Sequence, residues 1–160
     1  MTTTSPDTQF VAEPGSPEAT TTAVIDAPRE AVFRCFVEPD LLVRWWAPPK
    51  YEVKIEEFDP TPGGRWRFIV GPDTDESAAF KGVSHDVVEN ERICQTFEWE
   101  GLPGHVSMQT ATFEDADGGT KVTEQMVFQS VADRDGMAES GMKDHAPVGM
   151  AQLQEVAKSL

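Results

Sequence analysis

The sequence predicts one α+β domain, in which a curved antiparallel sheet is covered by a helix at the C-terminus. Three observations support this prediction. A β-branched run and two short helical segments come first, a succession of segments with apolar residues at alternate positions follows, and residues 132–160 carry apolar side chains at helical spacing. Strands and helices that are segregated along a chain in this way are typical of α+β domains.

Residues 1–17 differ in composition from the rest of the chain. They are rich in Thr, Pro, Ser and Glu, and they lack the basic and apolar regions of a signal peptide. We therefore expect a mobile N-terminal tail over residues 1–17 and a single domain over residues 18–160. The 160-residue chain is long enough for that domain to bury a core or enclose a small cavity.

A first strand and two short helices are predicted ahead of the main sheet. The run ATTTAVIDA is the strand, and Pro28 begins a helix that Pro39 ends. The second helix, PDLLVRWWA, ends at the adjacent Trp45 and Trp46, before two prolines. Because adjacent helical side chains point about 100° apart, we expect Trp45 to pack inward near the cavity mouth and the C-terminal helix. Trp46 is expected to cover the junction between the short helices and the sheet.

The segments that follow alternate apolar and polar residues and are joined by short loops rich in Gly, Pro, Asp and Asn. They are YEVKIEEFD, RWRFIV, AAFKGVSHDVV, ICQTFEWE, HVSMQTATFE and TKVTEQMVFQ. Consecutive strands with short connections indicate an antiparallel meander. After it, the helical spacing predicts a C-terminal helix from Val148 to Lys158, with a kink or a helix start near residues 145–148 because of Pro147.

Five motifs in this order resemble a known superfamily. They are APREAVFRCFVEPDLLVRWWAPP, FDPTPGGRWRF, FKGVSHDVVENERI, TFEWEG and TATFEDADGGTKVT. The chain resembles the START-like (SRPBCC) superfamily and, within it, the branch similar to the activator of heat-shock-protein-90 ATPase. The resemblance implies a helix-grip fold, with about seven strands around a long C-terminal helix and a cavity between them. It does not imply one reaction, since members include lipid carriers, aromatase/cyclases, hormone receptors and co-chaperone domains.

The chain departs from the family pattern at two positions. Gly149 and Met150 stand where the family usually has Gly-Trp, and Ser84 stands where an aromatic residue is common. Both departures replace a large ring with a smaller or more flexible side chain. We expect them to enlarge or reshape the pocket.

Alternation along the predicted strands assigns one set of side chains to the cavity. The candidate ligand-binding residues are Trp45, Trp66, Phe68, Phe80, Ser84, Phe97, Trp99, Gln109, Phe113, Met126, Met142 and Met150. Aromatic and Met side chains with a few polar groups are typical of a small-molecule pocket. The same composition also fits a filled core, because Met adapts to irregular gaps.

Two residues are candidates for catalysis, Glu124 and His105. A carboxylate enclosed in the cavity needs a partner or a raised pKa, and Arg65, Arg67 or His105 could supply the partner. Alternatively, Glu124 lies near a strand end and is solvated. The sequence has no dedicated catalytic motif, no His or Cys spacing typical of zinc sites and no dinucleotide or phosphate loop. We therefore expect neither a metal nor a cofactor.

The net charge limits the classes of partner that the protein can bind, and the cysteine content indicates its compartment. The net charge of −15 argues against nucleic acid and anionic membranes as partners, and no apolar run is long enough for a membrane span. The acidity fits either solubility or a basic partner. The two cysteines form no CxxC motif, which favours buried thiols in a reducing cytoplasm.

Three functions remain open on these observations. The first is a binding module for a small hydrophobic or aromatic ligand, which we favour because of the predicted cavity lining. The second is an enzyme of the cyclase, dehydratase or hydrolase type that uses Glu124, His105, Gln109 or Arg67. The third is a protein that interacts with a chaperone. A homodimer is possible, although nothing in the sequence determines it.

Overall fold

The computed structural model describes residues 5–160, which form one antiparallel sheet with helices against its inner face. The strands are β1 (Thr8–Val11), β2 (Glu18–Ile25), β3 (Val53–Phe58), β4 (Arg65–Val70), β5 (Ala78–Val88), β6 (Arg92–Trp99), β7 (Val106–Ala116) and β8 (Gly119–Val127). The helices are α1 (Arg29–Val37), α2 (Pro39–Leu42), α3 (Val131–Met137) and α4 (Lys143–Lys158), with a π-helical turn over Ala138–Met142 between the last two.

The sheet has the order β1-β2-β8-β7-β6-β5-β4-β3, and every neighbouring pair is antiparallel. The meander from β3 to β8 is therefore continuous, and β2 closes it by pairing with the last strand. The α+β class and the helix-grip arrangement predicted from the sequence are confirmed.

The eighth strand lies within residues 1–17, for which the sequence predicts a mobile tail. Thr8–Val11 pairs with β2 as an edge strand, and Phe10 packs against a buried cluster that contains Ala19 and Met126. Composition alone misses this strand, because one partly buried ring and one row of backbone hydrogen bonds are enough to hold a short edge. Residues 1–4 of the predicted tail lie outside the described residues.

The helix α2 is shorter than the sequence predicts. It ends at Leu42, and the chain then turns through residues 43–47 before the two prolines, so the tryptophan pair lies in a turn rather than on a helix.

The C-terminal helical region begins earlier than predicted. It runs from Val131 to Lys158 and is interrupted at Gly141, whose φ of 107° is accessible mainly to glycine. Pro147, expected to start or kink the helix, lies inside α4 with helical residues on both sides. Among residues 5–160, no helix has the length and apolar character to cross a membrane.

The beginning of this helical region is fixed to the N-terminal part of the chain. Ser130 caps α3, its hydroxyl accepting a hydrogen bond from the backbone N–H of Asp133. The buried Arg134 donates to the backbone oxygens of Glu13 and Glu18 at 2.9 and 3.1 Å. Because its guanidinium satisfies two backbone acceptors, Arg134 holds α3 against the segment that enters β2.

The other end is fixed by two glutamines of α4. The buried Gln154 accepts a hydrogen bond from the backbone N–H of Asp26 at 3.0 Å, just beyond the end of β2. Gln152 donates to the backbone oxygen of Ala47 at 3.1 Å, in the turn that follows the tryptophan pair. These bonds set the distance of α4 from the sheet and from the tryptophan turn.

The buried apolar residues form three clusters rather than one continuous core. The first surrounds α1 and the C-terminal half of α4 and includes Val32 and Leu153. The second lies on β3 and β4 and includes Phe68, and the third lies on β2 and β8 and includes Met126. A core divided in this way leaves space where the three clusters meet.

We predict that Gly82→Ala destabilises the protein by about 1–3 kcal/mol, measured as the free energy of unfolding in urea. A Cβ at Gly82 would lie 1.9 Å from the backbone oxygen of Thr96 and 2.6 Å from the Trp66 indole nitrogen. A backbone oxygen in a paired strand cannot move away without loss of the pairing.

The matched control is Gly136→Ala in α3, where an added Cβ meets nothing within 4 Å. This variant should unfold with an unchanged free energy or one raised by about 0.5–1 kcal/mol, because alanine restricts the unfolded chain more than glycine does. Equal stability of the two variants would contradict the close approach at Gly82.

Candidate functional site

A cavity of about 600 Å³ lies between the inner face of the sheet and the C-terminal helical region. This volume falls in the range of roughly 300–1,000 Å³ that is usual for ligand pockets. Its apolar lining comes from all three buried clusters and consists mainly of rings and thioethers. These side chains are Phe36, Trp45, Trp46, Phe58, Phe68, Phe80, Phe97, Met126, Met137, Met142 and Met150.

Trp46 is the centre of the aromatic wall. Its ring lies 5.1 Å from Phe68, 5.4 Å from Phe80 and 6.4 Å from Phe97, measured between centroids. Most of these contacts are edge-to-face, the arrangement that aromatic quadrupoles favour. Trp46 was expected to cover the junction between the short helices and the sheet; the turn that follows α2 directs this ring onto β4, β5 and β6, where it also lines the cavity.

Trp45 also lines the cavity, but it is tied to α1. Its indole N–H donates to the backbone oxygen of Cys35 at 2.8 Å, and its ring packs 4.7 Å from that of Phe36. The hydrogen bond satisfies one of the last carbonyl groups of α1 and fixes the ring orientation. Both members of the pair thus form the wall, one held by a helix end and the other by the sheet aromatics.

The structure brings most of the candidate ligand-binding residues together. Those that line the cavity are Trp45, Phe68, Phe80, Phe97, Gln109, Met126, Met142 and Met150. Three others, Trp66, Ser84 and Phe113, are buried but lie outside the lining. Trp66 lies behind the wall, with its ring 6.1 Å from that of Trp46.

Trp99 departs from the prediction. It ends β6 and is 44% exposed, although alternation places it on the same face as Phe97. The ring lies against the following turn, where a Cβ at Gly101 would be 2.3 Å from it. Alternation fails here because the strand ends and no neighbouring element covers the inner face at that point.

Glu124 is the carboxylate of the cavity. It lies on β8 between Thr21 of β2 and Ala111 of β7, and the accessible part of its side chain lines the cavity. No described residue between positions 5 and 160 makes a hydrogen bond or an ion pair with its side chain. Burial in these surroundings raises the pKa of Glu124 to about 7.

The partners proposed for Glu124 from the sequence are elsewhere. The His105 Nδ1 lies 2.8 Å from a carboxylate oxygen of Asp133, and His105 is exposed. Arg65 pairs with Glu57, and Arg67 pairs with Glu56 and Glu100. Even-numbered residues of β4 face the core, so its odd-numbered arginines point away from it, while His105 precedes β7. These residues are therefore not partners of Glu124.

Other polar groups surround the cavity, and sequence patterns did not identify all of them. Thr21, Gln95 and Gln109 face it from the sheet. Tyr51 and Glu76 lie in loops and are joined by a hydrogen bond of 2.5 Å between the phenol and the carboxylate. Loop residues carry no periodicity, so no sequence signal would have found this pair.

His145 faces the cavity from α4, in the region where the sequence predicts a kink or a helix start. Burial lowers the pKa of its imidazole, which favours the neutral form. Within residues 5–160, no group of three or more His, Cys, Asp or Glu side chains is arranged to hold a metal ion. The chemistry that the described cavity offers is therefore apolar contact, aromatic stacking, hydrogen bonding and the one enclosed carboxyl group.

Comparison with known proteins gives a family match and a set of similar structures. The family model described as "Activator of Hsp90 ATPase homolog 1-like protein" matches residues 26–158. No curated protein matches the chain.

Three solved structures illustrate the similarity. Protein Ms6760 from Mycobacterium smegmatis is 21% identical with a TM-score of 0.83, covering 92% of this chain and 94% of that one. A protein from Rhodobacter sphaeroides is 20% identical with a TM-score of 0.82, covering 96% and 100%. A protein from Arthrobacter aurescens is 22% identical with a TM-score of 0.83, covering 95% and 92%. At these identities, the similarity shows the fold.

We predict that Glu124→Gln stabilises the protein at pH 8 by about 1–3 kcal/mol and has little effect at pH 5. The folded-state pKa of about 7 lies above the ordinary value of 4.5, so the folded protein holds this proton more tightly than the unfolded chain does. The stability that comes from this protonation is fully present below pH 4.5 and is lost as the pH rises through 7. Urea denaturation at the two pH values measures it.

The matched control for this prediction is Glu114→Gln, because Glu114 is exposed on the neighbouring strand β7. This change should alter the free energy of unfolding little, and by the same amount at both pH values. A pH-independent effect of Glu124→Gln would show that the Glu124 carboxyl is solvated.

Proposed function

The chain belongs to the activator of Hsp90 ATPase homolog 1-like family, which has a START-like fold, and we propose that it binds a small hydrophobic or aromatic ligand in the cavity. The observation that carries the proposal is the cavity of about 600 Å³ with its lining of aromatic and Met side chains. A filled core, which the sequence left open as an alternative, would not leave a space of this size.

The shape of the lining supports a flat, ring-containing ligand. Trp46, Phe80 and Phe97 form one continuous surface, in which the rings of Phe80 and Phe97 are stacked 5.4 Å apart. Met126, Met142 and Met150 face the cavity from the sheet and the helix. Thioether side chains adapt to ligand shape at low cost, while the aromatic surface is fixed by its mutual contacts.

A second candidate function is an enzyme of the cyclase, dehydratase or hydrolase type. The observation that favours it is Glu124, since a carboxyl group with a pKa of about 7 can accept and return a proton near neutral pH. Gln109 pairs with Met126 and is the next residue of β7 on the same face of the sheet as Ala111, which pairs with Glu124. From this position its amide could orient a substrate oxygen. If this function holds, Glu124→Gln should abolish turnover of a bound ligand while binding persists.

The remaining parts of the proposal concern partners and location. We propose a reducing cytoplasm as the compartment, since Cys35 and Cys94 are free and burial raises the pKa of Cys35 to about 11. Interaction with a chaperone is proposed only by analogy with the family description. A homodimer is compatible with the proposal, which does not depend on it.

A thermal-shift screen with fatty acids, flavonoids, polycyclic aromatic compounds and their amines tests the ligand-binding function. We expect at least one class to stabilise the protein by more than about 1 kcal/mol, which raises Tm by about 3 °C for a chain of this size. The absence of stabilisation by every class, at concentrations up to the solubility limit, would contradict the proposal.

A cavity-filling variant assigns any binding to this site. Ala111 faces the cavity beside Glu124, so Ala111→Leu should weaken binding of the best ligand by about tenfold or more. The control is Thr112→Leu, the next residue on β7, which points to the opposite face. Equal affinities of the two variants, both folded by circular dichroism, would place the ligand elsewhere.

A further inference from the structure

The charges that line the cavity are unevenly distributed. Its titratable side chains are Tyr51, Glu76, Glu124 and His145, and neither Lys nor Arg occurs in the described lining. Glu76 is exposed in a loop and bonded to Tyr51, whereas burial favours the neutral form of His145. Among the described lining residues, Glu124 is therefore the acidic side chain that is enclosed and has no hydrogen-bond or ion-pair partner.

The neighbours of Glu124 do not compensate this charge. On the sheet it is flanked by Thr21 and Ala111, with Gln109 and Met126 one position further along the same face. None of these side chains is cationic, and no described residue donates a hydrogen bond to the carboxylate. An enclosed carboxylate without a partner is costly, and the cost falls when a positive charge comes within contact distance.

The aromatic wall adds a second source of negative potential. Trp45, Trp46, Phe68, Phe80 and Phe97 all line the same cavity as Glu124. The face of an aromatic ring is electrically negative and attracts cations, most strongly where water is excluded. Because these rings and the Glu124 carboxylate line one cavity, a cation can contact both, whereas an anion meets neither Lys nor Arg in the described lining.

We propose that the cavity selects ligands in which an apolar, ring-containing body carries one protonated amine, and that the carboxylate of Glu124 pairs with this amine. This inference rests on the ligand-binding function proposed above and specifies its substrate class. Fatty acids and other carboxylate or phosphate amphiphiles are disfavoured, since the described lining offers them no cationic partner. A neutral ligand gains the same apolar contacts but leaves the carboxylate without a counter-charge.

The experiment compares three probes that share one ring system and differ in charge: 9-(aminomethyl)anthracene, 9-anthracenemethanol and 9-anthracenecarboxylic acid. Isothermal titration calorimetry is performed with the full chain at pH 8, where Glu124 is largely ionised and the amine largely protonated. We expect the amine to bind about tenfold or more tightly than the alcohol, and the acid to bind least tightly.

Glu124→Gln assigns the preference to this residue. It should weaken amine binding by about tenfold or more and leave the affinity for the alcohol nearly unchanged, since the amide keeps the shape of the side chain but not its charge. Glu114→Gln, on the exposed face of β7, should leave the affinities for all three probes unchanged. This control separates a local pairing from the general attraction of the acidic protein for a cation.

The outcomes distinguish this inference from the function on which it rests. If the alcohol or the acid binds as tightly as the amine, or if Glu124→Gln leaves amine binding unchanged, the charge preference is overturned and the ligand-binding function stands. If Glu114→Gln weakens the amine as much as Glu124→Gln does, the preference belongs to the surface charge and the inference is overturned. If none of the probes binds and the thermal-shift screen also finds no ligand, both proposals fall.

Discussion

The inner face of the sheet is wider than one helix can cover, and this constraint determines the rest of the structure. Eight strands form this face, and α1, the tryptophan turn and the C-terminal helical region all pack against it. Arg134 and Gln154 fix that region near its two ends, to the segment around β2. Between these points the helix is interrupted at Gly141 and contributes flexible side chains instead of a close-packed face. The space left in the middle is the cavity.

The enclosed carboxyl group of Glu124 lowers the stability of the folded protein at neutral pH, because burial disfavours its charged form. An apolar side chain at position 124 would leave no enclosed charge, and the folded protein would gain stability at neutral pH. Glu124 instead lies in the cavity lining, where no described residue donates a hydrogen bond to its carboxylate. The neighbouring aromatic rings, in contrast, pack against one another, as the contacts of Trp46 with Trp66, Phe68 and Phe80 show. The lining thus combines an apolar surface of mutually packed rings with one enclosed carboxyl group that no described side chain pairs with.

Residue patterns that repeat along the chain allowed positions to be predicted, whereas features that occur once, such as a strand end or a contact between two loops, could not be predicted. Phe68, Phe80 and Phe97 could be assigned to one face because alternation holds throughout a paired strand. Trp99 could not, because its exposure depends on where β6 ends, and Phe10 was missed because four residues are too few to show a period. The hydrogen bond between Tyr51 and Glu76 joins two loops, and its formation depends on the fold as a whole. Alternation thus assigned several of the sheet residues that line the cavity, but it did not separate them from Trp66, Ser84 and Phe113, which are buried outside the lining.

The four tryptophans differ in their surroundings, so the intrinsic fluorescence of the protein is sensitive to what lies in the cavity. Trp45 and Trp46 border the cavity, Trp66 is buried behind them, and Trp99 is 44% exposed at the end of β6. A molecule against the first two changes the polarity around their indoles and can quench their emission, whereas the emission of Trp99 is a constant, red-shifted background. Replacement of Trp99 by Phe removes that background without altering the lining. The paired indoles that form the wall thus allow occupancy to be followed without a label.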